Sequence, residues 1–285
     1  MGFFIYKNIY KNMKLKLTES QYKLLKEFKK RAYSFDWDDN ILNMPTRIHL
    51  DYSVNGIMWV PVSVSTEQFR GIRHKIGTEF RYLNDDIKQS FKDFRDYDAF
   101  VRDVKEALNY RSYGPSFNKF KEALISGSDF SIITARSNSP QAIKDGIKIV
   151  IEKTINWDEK KIMEKNLNGL SIEEYLNLQD YHPVSSEEFL NKFDLNISGT
   201  NPEKGKKVAF KSFVEKVVKQ IGDIRNNSDF EGISVGFSDD DEGNVKTIEK
   251  LIEDELQKLY PEINFIIYDT SDPNNPKKKR IIIKK

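Results

Sequence analysis

The sequence predicts an α/β fold in three layers, a parallel sheet with helices on both faces. Two observations carry that expectation. Apolar, β-rich runs at Ala32–Asp36, Ser131–Ile133, Ile233–Phe237 and Ile263–Tyr268 alternate with amphipathic stretches, the pattern of strands joined by helical crossovers. At the carboxyl end of three separate runs stand polar groups able to do chemistry, Asp36, Thr134 and Asp239. Such sheets collect their functional residues at the carboxyl ends of the strands.

Composition sets the outer bounds. With 285 residues, 38% hydrophobic and 12% aromatic, the chain holds enough apolar material for one large or two small domains. Its 46 basic and 44 acidic residues leave a net charge of +2, unlike the basic excess of a dedicated nucleic-acid binder. The lack of cysteine excludes disulfides and thiolate metal sites and is compatible with a reducing, cytoplasmic setting. No apolar run is long enough to span a membrane. The opening MGFFIYKNIYKN lacks the apolar core and small-residue cleavage site of a signal peptide. Met13 is expected to be the natural start, since a helix signal follows directly.

The elements follow in order. Thr18 and Gln21 form a capping-box pattern for a helix to about Lys30, so residues 1–30 read as an extension and a helix. After the first strand, Ile41–Pro45 has room for about one helical turn. Residues 46–64 read as a hairpin, because Asn55-Gly56 lies between two β-rich runs and both turn residues tolerate positive φ. From Thr66 to Tyr110, Ile72, Ile76, Phe80, Leu83, Ile87, Phe91 and Phe94 recur at helical spacing. A helical module at 66–113 is thus expected to interrupt a core of 31–65 and 114–285. Gly114-Pro115 opens a helix through Leu124, and Ser139-Pro140 caps and begins another. Between 153 and 200 only a helix at Leu170–Leu176 and a short strand at His182–Val184 are legible. Thr200-Asn201-Pro202 starts a helix with Phe210, Phe213, Val214, Val217, Val218 and Ile221 as its apolar stripe. Val245–Leu259 is a further helix stopped by Pro261, and Lys277–Arg280 reads as a solvated turn before a last strand.

The string FDWDDNIL, residues 35–42, concentrates the chemistry. Side chains two apart in a strand share a face, so Asp36 and Asp38 project together while Trp37 turns away to pack inward. If the strand ends are adjacent, Asp36, Asp38, Asp239 and Asp240 crowd one pocket. Each pair of like charges about 4 Å apart then costs roughly 4 kcal/mol at an effective dielectric near 20, so cations must enter. Magnesium suits an oxygen-only donor set, and a lysine should supply further positive charge. Counting back from Phe210 and Phe213 reaches Lys206 and Lys207 but not Lys204, without choosing between the two. Trp59 and Trp157 read as packing residues, and His49, His74 and His182 as surface or hydrogen-bonded ones. Arg70, Arg73 and their basic neighbours suit a solvated helix face or a lid above a phosphate.

In this order the features resemble the haloacid dehalogenase (HAD) superfamily of phosphohydrolases. Its Asp-x-Asp-x-Thr/Val motif is matched by Asp36-Trp37-Asp38-Asp39-Asn40, its strand-ending Ser or Thr by Thr134, its Lys-x-x-Ala by Lys206 with Ala209, and its acidic pair by Asp239 and Asp240. Asn40 departs from the usual Thr or Val, and Asp239, Asp240, Asp241 and Asn244 offer several registers for the last motif. The resemblance implies a Rossmann-like core, a β-hairpin flap and a small helical cap. It implies a magnesium-dependent phosphomonoesterase in which Asp36 is the nucleophile, forming an aspartyl-phosphate, and is ionised like an ordinary carboxylate. Asp38 is implied as general acid and then base. Thr134 and Lys206 would hold phosphate, beside Ala135, Arg136 and Lys207 as further substrate-binding candidates. The metal would lie on Asp36, the Asp38 carbonyl and Asp239, supported by Asp240. The partner implied is a phosphorylated substrate, with nucleotides and phosphorylated nucleic-acid ends among the candidates. Two other classes stand beside this one: a catalytically idle binding protein of the same fold, and a metal-dependent DxD nucleotidyl-sugar transferase. The latter normally needs a nucleotide-binding βαβ unit before its DxD.

Overall fold

The computed structural model describes residues 30–195, 202–222 and 233–281. The expected helix before Lys30, the Met13 start, Thr200 and Asn201 lie outside them. The four β-rich runs form strands β1 (Lys30–Phe35), β5 (Asp129–Thr134), β7 (Ile233–Asp239) and β8 (Ile263–Asp269), joined by β6 (Asp180–Pro183) and β9 (Lys277–Ile281). Their six-stranded sheet has the order β6-β5-β1-β7-β8-β9. All pairings are parallel except β8 with β9. Strand β1 is central. The chain moves from it to β5 and β6 on one side, then crosses to β7 and β8 on the other, so a switch point lies at its carboxyl end.

Alternation along the strands feeds two separate cores. Tyr33, Phe35, Phe130 and Ile132 face one apolar cluster; Ala32, Ile133, Val235 and Phe237 face the other. Helices Tyr97–Asn109, Phe117–Ile125 and Pro140–Thr154 supply the first cluster through Phe100, Phe120 and Ile147. Helices Pro202–Ile221 and Glu242–Leu251 supply the second through Phe210, Phe213 and Ile248. The result is the expected α/β/α layering of the Rossmann-like kind. Trp37 belongs to the first core, its ring 5.4 Å from that of Phe100. Among the described residues no helix is long and apolar enough to cross a membrane.

A second sheet of three strands, β2 (Ile48–Val54), β3 (Met58–Val64) and β4 (Phe80–Tyr82), has the order β3-β2-β4. Its hairpin turns at Asn55 (φ 54°) and Gly56 (φ 72°), the left-handed pair that Asn-Gly provides. Ser65 and Gln68 cap the helix that follows, α1 (Thr66–Ile72), in a reciprocal box.

The structure departs from the sequence reading in several places. Phe80, expected within a helical module, lies in β4 because it pairs with Tyr52 of β2. The helix Tyr97–Asn109 packs on Pro140–Thr154 and joins the main core, leaving Ile48, Leu50 and Phe94 as a small separate cluster with the hairpin. The turn falls before Ile41–Pro45: Asp39 is left-handed (φ 56°), the Ile41 and Leu42 N–H groups both donate to the Trp37 carbonyl, and residues 43–47 form no helix. Lys277–Arg280 is strand, not turn, since its backbone pairs with β8. Trp157 is 67% exposed, with the Lys161 ammonium 3.3 Å from its ring centroid. Helices Trp157–Asn166 and Glu187–Lys192 lie within the stretch that was illegible in the sequence.

Candidate active site

Asp36 is the first residue beyond β1, and its position is fixed through the backbone. Its N–H donates to the Ser238 carbonyl at 2.9 Å. Asn40, wholly buried, locks the same corner: Nδ2 donates to the carbonyls of Asp36 (3.2 Å) and Ser238 (3.0 Å). Its Oδ1 accepts from Ser238 Oγ (3.0 Å) and Thr270 Oγ1 (2.8 Å). One amide thus ties together the ends of β1, β7 and β8. The Gly114 backbone approaches so closely that a Cβ there would lie 2.4 Å from the Asn40 carbonyl oxygen.

Asp239 closes β7. Its Oδ1 accepts from the Asp241 N–H (3.0 Å) and Asn244 Nδ2 (2.9 Å), while Asp241 caps the helix Glu242–Leu251. Lys206, near the start of α2 (Pro202–Ile221), reaches Asp239 Oδ2 at 2.7 Å and Asp36 Oδ1 at 3.1 Å. Lys206 is buried and Lys207 is exposed, which resolves the choice that periodicity left open. The helix comes this close because Gly205 rests on Val184, where a Cβ would lie 2.8 Å from the Val184 Cβ.

Asp36, Asp239 and Asp240 each offer an oxygen within 4.8 Å of the others, and all three are buried. Asp36 Oδ1 accepts no hydrogen bond, the Lys206 contact being poorly aligned. An all-carboxylate donor set with an unsatisfied buried oxygen fits a hard divalent cation such as magnesium. Asp239 and Asp240 thus face the cluster, while Asp241 caps the following helix and Asn244 supports Asp239.

Burial and the converging carboxylates shift Asp36 and Asp240 upward. Burial, then the charges of Asp239, Asp240 and Asp38, push the Asp36 carboxyl well above its ordinary range despite Lys206. The Asp36 carboxyl is therefore not an ordinary one. Burial and Asp239 raise Asp240 to about 7, with Arg70 opposing. Burial works against the Lys206 charge, but Asp239 and Asp36 outweigh it and raise its pKa.

Asp38 does not join the cluster. Arg136, with no exposed surface, grips it by two hydrogen bonds, Nε to Oδ2 and Nη2 to Oδ1, both 2.7 Å. Arg136 also donates to Thr46 Oγ1 (2.6 Å) and lies over the rings of Phe94 and Phe100. The expectation that Asp38 crowds one pocket with Asp36, Asp239 and Asp240 is corrected here: a buried guanidinium demands a carboxylate partner, and Arg136 takes Asp38. Thr134 is buried at the end of β5 with Oγ1 accepting from the Arg136 N–H at 3.3 Å, and Ala135 is exposed.

Sequence reasoning missed the clamp role of Asn40 and left Arg70 unresolved. Arg70 hydrogen-bonds Asp240, and Arg73 Nη1 lies 3.3 Å from Asp241. Their i, i+3 spacing, with Arg70 in α1 and Arg73 as its C-cap, was the available signal. No family model, curated protein or solved structure matches the chain.

Proposed function

We propose that the protein is a magnesium-dependent phosphohydrolase of the HAD type. The observation that carries the reading is the convergence of Asp36, Asp239, Asp240 and Lys206 at the carboxyl end of the central strand. The hairpin and α1 would be its flap and part of its cap.

Magnesium held by Asp36, Asp239 and Asp240 would keep Asp36 ionised and neutralise phosphate charge. The Asp36 carboxylate attacks phosphorus, and the ester P–O bond breaks with its electron pair left on the alcohol oxygen. A proton from Asp38 reaches that oxygen. Water then attacks the aspartyl-phosphate, Asp38 takes the proton back, and the P–O bond to Asp36 breaks to release phosphate. For this cycle Arg136 must release at least one Asp38 oxygen. Lys206 supplies fixed positive charge throughout, so it needs no rearrangement as phosphate charge develops. Nucleotides and phosphorylated nucleic-acid ends are the substrates to try first. The alternative, an idle binding protein, draws its support from the Arg136 grip on both Asp38 oxygens.

Hydrolysis of p-nitrophenyl phosphate with and without magnesium tests the proposal. Metal-dependent turnover is expected, abolished in Asp36→Asn and reduced about 100-fold or more in Lys206→Ala, but retained in Lys207→Ala. No turnover on this ester, on nucleotides or on 3′-phosphorylated oligonucleotides would favour the binding protein.

A further inference from the structure

Helix α1 is fastened to the acidic corner by side chains alone. Thr66 Oγ1 donates to Asp39 Oδ2 at 2.5 Å, the Arg70 guanidinium bonds Asp240, and Arg73 lies on Asp241. Arg70 also stands 3.9 Å from both Asp39 and Asp241. Of these acids only Asp240 belongs to the three converging carboxylates. A guanidinium on Asp240 therefore occupies ground that a divalent cation would take, and two positive groups on one carboxylate repel. Lys206 is enclosed and has no other place to go, whereas the Arg70 side chain is 36% exposed and can swing outward.

We propose that Arg70 is a phosphate-binding residue stored on Asp240, and that cation loading displaces it from that carboxylate to meet the phosphate of the substrate. This rests on the cation site of the proposed phosphohydrolase but not on turnover. Once displaced, the guanidinium remains beside the cluster at the end of a capped helix, with two donors matched to a phosphate oxygen pair.

The test is calorimetric titration of the full chain, first with magnesium alone, then with inorganic phosphate at saturating magnesium. Removing a partly exposed competing ion pair should tighten magnesium binding about fivefold in Arg70→Gln, while phosphate binding weakens by about tenfold or more. Arg73→Gln, which touches only Asp241, should change neither by more than about twofold. Arg70→Lys, which keeps the charge, should fall between parent and Arg70→Gln and serves if the latter does not fold. Unchanged or weaker magnesium binding in Arg70→Gln overturns the proposal, as does unchanged phosphate binding. Magnesium-dependent turnover with unaltered affinities in Arg70→Gln would sink this inference alone. The predicted affinity changes without turnover on any ester would sink only the phosphohydrolase.

Discussion

At the scale of single residues, Asn40 does more for the site than its position after two acids suggests. Both polar atoms of its side chain are used twice, in a place with no exposed surface. Replacing it removes all four bonds and takes from the Asp36 carbonyl and the Thr270 hydroxyl the partner each has there, which costs free energy when buried, while Ser238 keeps the Asp36 N–H and the Ser116 hydroxyl. Asn40→Ala should therefore lower stability by about 2–4 kcal/mol, read from urea denaturation with an unchanged slope. A loss under about 1 kcal/mol would mean that the clamp is dispensable. The sequence marked Asn40 only as an exception to a pattern, because its partners Ser238 and Thr270 are about two hundred positions away.

At the scale of elements, the stripe of Pro202–Ile221 shows how far periodicity reaches. Phe210, Phe213, Val214 and Val217 are buried as the stripe requires. Extrapolating the stripe back to the first turn spans an arc that includes both Lys206 and Lys207. Close packing decides, since Gly205 seats the helix against Val184 and leaves Lys206 beneath it. Gly205→Ala should push this helix end outward, costing about 1–3 kcal/mol and lowering hydrolysis more than a surface change of equal stability cost. Urea titration beside initial rates would detect the pair of effects; full activity would show that Lys206 tolerates the shift. The hairpin was legible because Asn-Gly acts locally. Strand β4 was not, because its three residues become a strand only by pairing with β2.

For the molecule as a whole, the same crowding makes stability depend on pH. Asp240 keeps its proton up to about pH 7 when folded, against an ordinary value of 3.8. Between these limits the folded chain holds a proton that the unfolded chain releases, so raising the pH through this window removes stability. Buried His182 acts in the opposite sense: burial lowers its pKa from 6.5 to about 3, and stability is lost as pH falls through that range. Comparing thermal midpoints in chelator separates them. Relative to the parent, Asp240→Asn should gain stability at about pH 8 over about pH 5, and an identical difference at both would refute the assigned cause. That β1 is central and that its neighbours' ends meet come from the pairing, whereas the three-layer plan and the polar ends of three strands were readable from alternating runs. The Asp38–Arg136 pair was not, because the two are joined only by the return of β5 alongside β1. The outer strands of that sheet have a further consequence. β9 carries exposed Lys277, Lys278 and Lys279, while β6 has only four residues and ends in Pro183. Like charge on one border and a short strand ending in proline on the other discourage a second chain from adding its own strand. The protein is thereby guarded against the edge-to-edge aggregation that open sheets invite.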